Sequence, residues 1–421
     1  MKTQTIIPLL VTGIFAAALV GLAAVNPKRV TEQDPRGKQG PIRVLFLGHD
    51  SKHHNSNKYY PMLAKGLGVD GIYFDYVTTV EEAFGDAESL GQFDAVLLYA
   101  NHATITPEQW ANLREYVDGG GGFVPVHCAS WCFGNQPEFD QLVGGRFDSH
   151  GGGTFAAKVI KAEHPAMEGV EAFEAWDETY KHRNHNEENR TVLMVREVAE
   201  AGDNIKEPEP WTWVRTQGKG RVFYTASGHD ERVWERAEFH KLLKAGILWA
   251  VGDDRKKSYD EFIQKRAPLR YEKRGDIANY ENRPEPLLYQ FPLPAEESMK
   301  YTQAPMGFRL ELFASEPDII NPIGLAWDER GRLWAAETVD YPNEMTPDRV
   351  GNDKIKILED TDGDGRCDKV TVFAEGLNIP TSLTFSRGGI IVAHVPDFLF
   401  LKDTDGDDKA DIREILNTGW G

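Results

Sequence analysis

From residue 41 to about residue 252 the chain alternates short apolar runs with helical stretches, and no other feature limits its fold as strongly. "IRVLFLG" is uninterrupted and apolar, as a strand covered on both faces must be, and "YFDYVTT", "DAVLLYAN" and "FVPVHCAS" read as further strands. Between them, "YYPMLAKGLG" is a helix candidate. "TPEQWANLREYVDGGGG" is a better signalled one: Thr106 caps it, Pro107 opens the first turn, Gln109 closes a capping box and glycines stop it. Strands separated by helices predict an α/β fold with a parallel, doubly wound sheet. The later part is richer in strands, "FAAKVIKA", "TVLMVREV", "WTWVRTQ" and "GRVFYTAS". A helix closes it, with Phe239, Leu242, Leu243, Gly246, Ile247 and Ala250 on one face.

The 421 residues are too many for one ordinary domain. Residues 1–26 carry Lys2 and then an apolar run, followed by Lys28 and Arg29, the pattern of a cleaved signal peptide or a retained membrane anchor. The remainder is therefore expected to be exported, periplasmic or membrane-anchored. The α/β domain is expected over 41–253. Residues 254–304, first charged and then proline-rich, are expected to form an extended linker. From 305 to 421 the period becomes β-like and repeats: "PIGLAWDERGRLWAAE" and "KIKILEDTDGDGRCDKVTVFAEGL" are echoed by "PTSLTFSRGGIIVAHV" and "FLFLKDTDGDDKADIREIL", and Asp360 recurs as Asp403. Four short strands per unit match propeller blades. Two blades do not close a ring, so this all-β segment is expected to be incomplete, the front end of a longer protein.

A net charge of −19 argues against a nucleic-acid-binding surface and points to a neutral or small partner. Three cysteines, Cys128, Cys132 and Cys367, make no disulfide scaffold, although a Cys128–Cys132 bridge is open. No C-x-x-C-H is present to attach a haem. In a doubly wound sheet, ligands bind at the carboxyl ends of strands. His49 and Asp50, His102, His127 and Cys128, and His229 and Asp230 all follow predicted strands, and the loops add His150, Glu178, Tyr180, His182 and His185. His102, His164 and His240 are read as structural. A nucleophile at a strand-to-helix elbow wants small residues two positions away on each side, whereas Cys128 has Val126 and Ser130. The working residue is therefore expected to be His127. His49, His127, Glu178, His229 and Asp230 are the catalytic candidates; His150, Tyr180, His185, Trp213 and Cys128 are candidates for substrate contact.

The acidic loops "DTDGDGRCD" and "DTDGDDKAD" offer oxygens at alternate positions, as calcium loops do: Asp360, Asp362, Asp364 and Asp368 in the first, Asp403, Asp405, Asp407, Asp411 and Glu414 in the second. Thr371 stands where the first loop needs a bidentate Glu, and Asp408 stands where the second needs glycine. Weak structural calcium binding and a solvated turn capped by its own carboxylates both remain open.

Residues 41–252 resemble the trehalose-utilisation (ThuA-like) family, a branch of the flavodoxin-like, class I glutamine amidotransferase-like fold. The resemblance rests on "RVLFLGHD", "GGGFVPVHCAS", "LVGGRFDSHGGG", "EHPAMEGV", "DETY" and "WTWVRTQGKGRVFYTASGHDERVW". It implies a role in carbohydrate metabolism, on oxidised 3-keto disaccharides or glycosides, as a hydrolase, lyase or isomerase. His127, His150, Glu178, His229 and Asp230 match the recurrent family positions. Their chemistry suits either a His/Glu acid–base pair or a divalent metal held by three His and one Glu. The alternatives are a non-catalytic carbohydrate-binding module and a metal-dependent hydrolase of another small molecule. Residues 305–421 resemble the start of a membrane-bound dehydrogenase propeller similar to quinoprotein sugar dehydrogenases. An electron-transfer partner is implied only for a full-length form, and the missing blades argue against dehydrogenase activity here.

Overall fold

The computed structural model describes residues 39–198, 205–277, 279, 282–283, 287–341 and 346–420; the expected export segment at 1–26 lies outside them. The chain divides into two units, one running to Arg266 with Pro305–Gly307, the other made of Ala267–Ala304 with Phe308–Gly421.

The first unit is a mixed α/β domain. In chain order its strands are β1 (Ile42–Leu47), β2 (Ile72–Val77), β3 (Ala95–Leu98), β4 (Gly122–Pro125), β5 (Arg146–Ser149), β6 (Gly152–Ala156), β7 (Lys158–Val159), β8 (Glu174–Glu178), β9 (Lys181–Arg183), β10 (Arg190–Arg196), β11 (Glu209–Gln217) and β12 (Gly220–Thr225). Eight of them form the central sheet, in the order β2-β1-β3-β4-β12-β11-β10-β7. The first five of that order are parallel and the rest antiparallel. The chain moves one way from β1 to β2 and the other way from β3 to β4. Through Ala250 its helices in chain order are α1 (Ser56–Gly68), α2 (Val80–Phe84), α3 (Ala87–Leu90), α4 (Pro107–Asp118), α5 (Pro137–Val143), α6 (Glu231–Trp234) and α7 (Ala237–Ala250), and right-handed crossovers therefore place α1 and α4 on opposite faces. The capping box expected at Thr106 and Gln109 is formed. "FAAKVIKA" is not one strand: β6 joins β8 in a small separate sheet, and only Lys158–Val159 reaches the edge of the large one.

Behind the sheet, α7 (Ala237–Ala250) packs on β4 and β12. Gly246 makes that fit possible, since a Cβ there would meet the buried Phe223 ring at 2.5 Å. The stretch expected to lie extended after residue 253 opens instead as helix α8 (Asp253–Lys265). Its Arg255 is buried and forks onto Asp94, with Nε to Oδ1 at 2.8 Å and Nη2 to Oδ2 at 3.1 Å. A long-range ion pair thus anchors a sequence whose charge had suggested solvent.

In the second unit, β13 (Tyr271–Arg274) pairs with β14 (Leu287–Gln290), and two four-stranded antiparallel sheets follow. One is β15 (Pro322–Trp327), β16 (Leu333–Glu337), β17 (Asp353–Glu359) and β18 (Lys369–Leu377); the other is β19 (Pro380–Ser386), β20 (Gly389–His394), β21 (Asp397–Lys402) and β22 (Ile412–Thr418). They share a core of Trp334, Ile355, Ile357, Phe373 and Leu377 with Ile390, Val392, Leu399 and Leu401. Arg332, just before β16, reaches across to Asp408 in the second acidic loop at 2.9 Å and also binds Asp328 at 2.7 Å.

Candidate functional site

The loops that leave β1, β4 and β12 at their carboxyl ends, together with the end of β8, bring His54, His127, His229 and Glu178 together. One ligand atom from each lies within 4.8 Å of all the others. The Glu178 carboxylate is the hub. His127 Nε2 and His54 Nε2 lie 3.2 and 3.6 Å from Oε2; His229 Nδ1 and His150 Nδ1 lie 3.2 and 3.5 Å from Oε1.

Each ligand candidate is oriented from behind. Val126 bridges to Thr225, which sets the Ala226 carbonyl 2.6 Å from His127 Nδ1; this nitrogen must be the donor. His127 itself adopts φ +47°, a left-handed conformation that residues other than glycine rarely take, and it turns the ring back over the strand ends. Gly228 in the neighbouring loop takes φ +133°, a backbone conformation that residues with side chains rarely adopt. His54 Nδ1 donates to Asn101 Oδ1 at 2.8 Å. Asn101 N–H donates in turn to His49 Nδ1, leaving His49 Nε2–H to donate to the His54 carbonyl at 2.9 Å. The His229 loop is fastened by Asp177, whose carboxylate accepts the N–H groups of Gly228, His229 and Glu178 at 3.0, 3.1 and 2.9 Å.

The electrostatics follow from burial. Burial lowers His127 to about 3, so the ring is neutral and its Nε2 presents a lone pair to Glu178. Burial alone would raise Glu178, but a charged His229 ring hydrogen-bonded to it outweighs that and holds the carboxyl well below the usual range. Burial also works against charge on His229, yet Glu178 and Asp230 keep its pKa above the ordinary value. Buried Asp177 is pushed up to about 7. With Nδ1–H of both His54 and His127 committed elsewhere, two imidazole lone pairs face one carboxylate. Acceptors facing acceptors repel unless a cation lies among them. In keeping with that, His54 Nε2 is buried without a hydrogen-bond partner. Three imidazole nitrogens and a carboxylate oxygen are a donor set that suits a divalent transition metal, and the backing hydrogen bonds are of the kind that orient such ligands.

Of the residues expected from sequence, His127, Glu178 and His229 meet here, and His150 stands at the open edge with 43% of its side chain exposed. Tyr180 stacks on His127 with ring centroids 4.1 Å apart. Asp230 caps α6 (Glu231–Trp234) and binds Arg232, with its carboxylate 3.9 Å from His229 Nε2. His49 lies one residue layer behind the site, a support for His54 and not a member of the cluster. Cys128 and Trp213 are fully buried in the core and offer no surface to a substrate. Burial raises the Cys128 thiol far above its ordinary value, which leaves it without thiolate character. His185 sits against Arg190 at 3.0 Å, away from the Glu178 carboxylate. His54 and Asp177 were not singled out from sequence. The sequence signal for His54 is the doublet His53–His54 in the first strand-to-helix loop, farther from the strand end than His49, which directly follows it.

In the acidic loops, Asp360, Asp362 and Asp368, and likewise Asp403, Asp405 and Asp411, bring oxygens within 4.8 Å of one another. Asp360 accepts from the N–H groups of Gly363, Asp364 and Gly365, and Asp403 from those of Asp405, Gly406 and Asp408. Asp364 and Asp407 cap Arg366 and Lys409 N–H, and Glu414 lies exposed on β22. Asp408 takes the left-handed φ of +60° at the position filled by Gly365 in the first loop.

The first unit is thus a mixed α/β domain with imidazoles and a carboxylate gathered at the carboxyl edge of its large central sheet, where such sheets place their ligands. Residues 43–250 match the family model for trehalose utilisation, ThuA, and this part of the chain is a ThuA-like domain. Residues 294–421 match a domain of unknown function, DUF7133. Among solved structures, a ThuA-like protein from Bacteroides uniformis ATCC 8492 is 20% identical with a TM-score of 0.42, over 50% of this chain and 91% of that one. Another from Parabacteroides merdae ATCC 43184 is 21% identical with a TM-score of 0.45, over 50% and 90%. No curated protein matches the chain.

Proposed function

We propose that the ThuA-like domain is a metal-assisted enzyme of carbohydrate metabolism, acting on a 3-keto-disaccharide or related glycoside. The observation that carries this is the set of imidazole lone pairs turned onto the Glu178 carboxylate. His54, His127, His229 and Glu178 would hold the divalent cation, which supplies Lewis-acid polarisation of a sugar oxygen. His150 is the proton-transfer group: it is exposed, lies next to the cluster and outside it, and is carried by a turn of glycines. Its Nδ1–H donates to the Gly151 carbonyl at 2.9 Å, so Nε2 is free to take a proton from the substrate or return one. Tyr180 walls the His127 side and keeps water from that face of the ring.

Elemental analysis of the protein after metal-replete expression should give about one divalent transition metal per chain. Glu178→Ala and His229→Ala should lose both the metal and turnover of a 3-keto-disaccharide. His150→Ala should keep the metal and lose turnover by about 10²–10⁴-fold. A protein that binds the sugar and leaves it unchanged would instead be a carbohydrate-binding module, and the enzyme reading would fall.

For the second unit, the two four-stranded meanders with their shared core support a reading as the first blades of a β-propeller. The carboxylates of Asp360 and Asp403 are already engaged by backbone N–H groups, which favours the self-capped turn over calcium in the acidic loops. Export, with a membrane-associated or periplasmic location, is proposed from the N-terminal sequence alone.

A further inference from the structure

Behind His127, on the side away from Glu178, runs a second chain of polar groups that the chemistry above does not use. Glu209 at the start of β11, His182 on β9, Tyr224 on β12 and Ser130 are 7%, 4%, 0% and 1% exposed. One Glu209 oxygen accepts both the backbone N–H and the Nδ1–H of His182, each at 2.9 Å. His182 Nε2 lies 2.9 Å from the Tyr224 hydroxyl, which is 3.0 Å from Ser130 Oγ and 3.1 Å from the His127 carbonyl. Ser130 Oγ also lies 3.1 Å from that carbonyl. The Tyr224 ring is held by Trp213, with centroids 4.2 Å apart.

Two hydroxyl protons thus serve two acceptors, His182 Nε2 and the His127 carbonyl, and removing either hydroxyl leaves one acceptor unserved. Burying a carboxylate, an imidazole and two hydroxyls is costly, and an apolar core would be cheaper. The chain ends on the backbone of His127, whose left-handed φ of +47° local sterics oppose.

We propose that Glu209, His182, Tyr224 and Ser130 are positioning residues for His127. They clamp its carbonyl, and so its backbone turn, with Nε2 already aimed at the cluster before a cation arrives. The proposal rests on the reading of His54, His127, Glu178 and His229 as a cation site. Outer partners of metal ligands typically change metal affinity by about 10–100-fold, and that is the effect expected here.

The test uses the full chain and Co²⁺ as the probe, read by titration and by the visible absorption of the bound ion. Ser130→Ala and Tyr224→Phe should weaken Co²⁺ binding by about 10–100-fold and shift its absorption bands. Glu209→Gln, which keeps an acceptor for His182 Nδ1–H, should stay near wild type, and Glu209→Leu should fall with the others. Variants that melt at lower temperature yet bind Co²⁺ with wild-type affinity and spectrum would overturn the proposal. If Tyr224→Phe does not fold, Ser130→Ala alone decides it in the same way. A wild-type protein that takes up no Co²⁺ overturns the metal reading of the site and the proposal with it. Wild-type uptake with indifferent variants overturns the proposal alone.

Discussion

His229 is the member of the cluster whose proton a cation would have to displace near neutral pH. Its pKa lies above the ordinary value because Glu178 and Asp230 favour the charged ring more than burial opposes it. The metal needs the neutral ring, so uptake should release a proton, and Co²⁺ affinity should fall as pH drops through that raised pKa, approaching about tenfold per pH unit below it. His127, lowered to about 3 by burial, should add no proton competition above that value. Titrations between pH 6 and 8 check this, and a flat profile would show that His229 stays out of the ligand set. At this scale the sequence was legible where a strand end announced the residue. His127 and His229 follow their strands directly, and Glu178 stood out as the acid of "DETY". His54 lies farther into its loop, and only the fold of that loop, propped by His49 and Asn101, turns it inward. Cys128 and Trp213 misled because a strand end supplies alternate residues to the core as well as to the cleft, and composition does not say which.

At the scale of elements, the helices and strands with local signals were readable: α4 from its capping box, β1 from its apolar run. α8 was not, because charge dominates its sequence and the group that holds it, Asp94, is 161 residues away. Arg255→Ala should therefore remove the buried guanidinium fork on Asp94 and cost about 3–5 kcal/mol in denaturant unfolding. A loss below 1 kcal/mol would mean that α8 is held by something else. The closing helix makes the opposite demand, for less volume. Gly246→Ala should destabilise by about 1–3 kcal/mol, because the new methyl meets a fully buried Phe223 ring that has nowhere to go. Its Co²⁺ spectrum should be unchanged, since α7 packs behind the sheet and not on the cluster.

At the scale of the molecule, all four cluster residues and their backing groups belong to one compact unit. Residues 39–307, produced without the rest, should fold and bind Co²⁺ as the full chain does; loss of binding would show that the second unit completes the site. In that second unit the repeat was visible in sequence, but the inequality of its two copies was not. The turn glycines Gly331 and Gly388 share a left-handed φ, at +78° and +74°, and each precedes a second hairpin strand. The residue after the first is Arg332, which clasps Asp408 of the following sheet; the residue after the second is Gly389, which has no side chain to extend. The clasp therefore carries an order. A copy of the first repeat brings the hook but, with Gly365 in place of Asp408, no eye; a copy of the second brings the eye but, at Gly389, no hook, so this ion pair links two unlike copies and not two like ones.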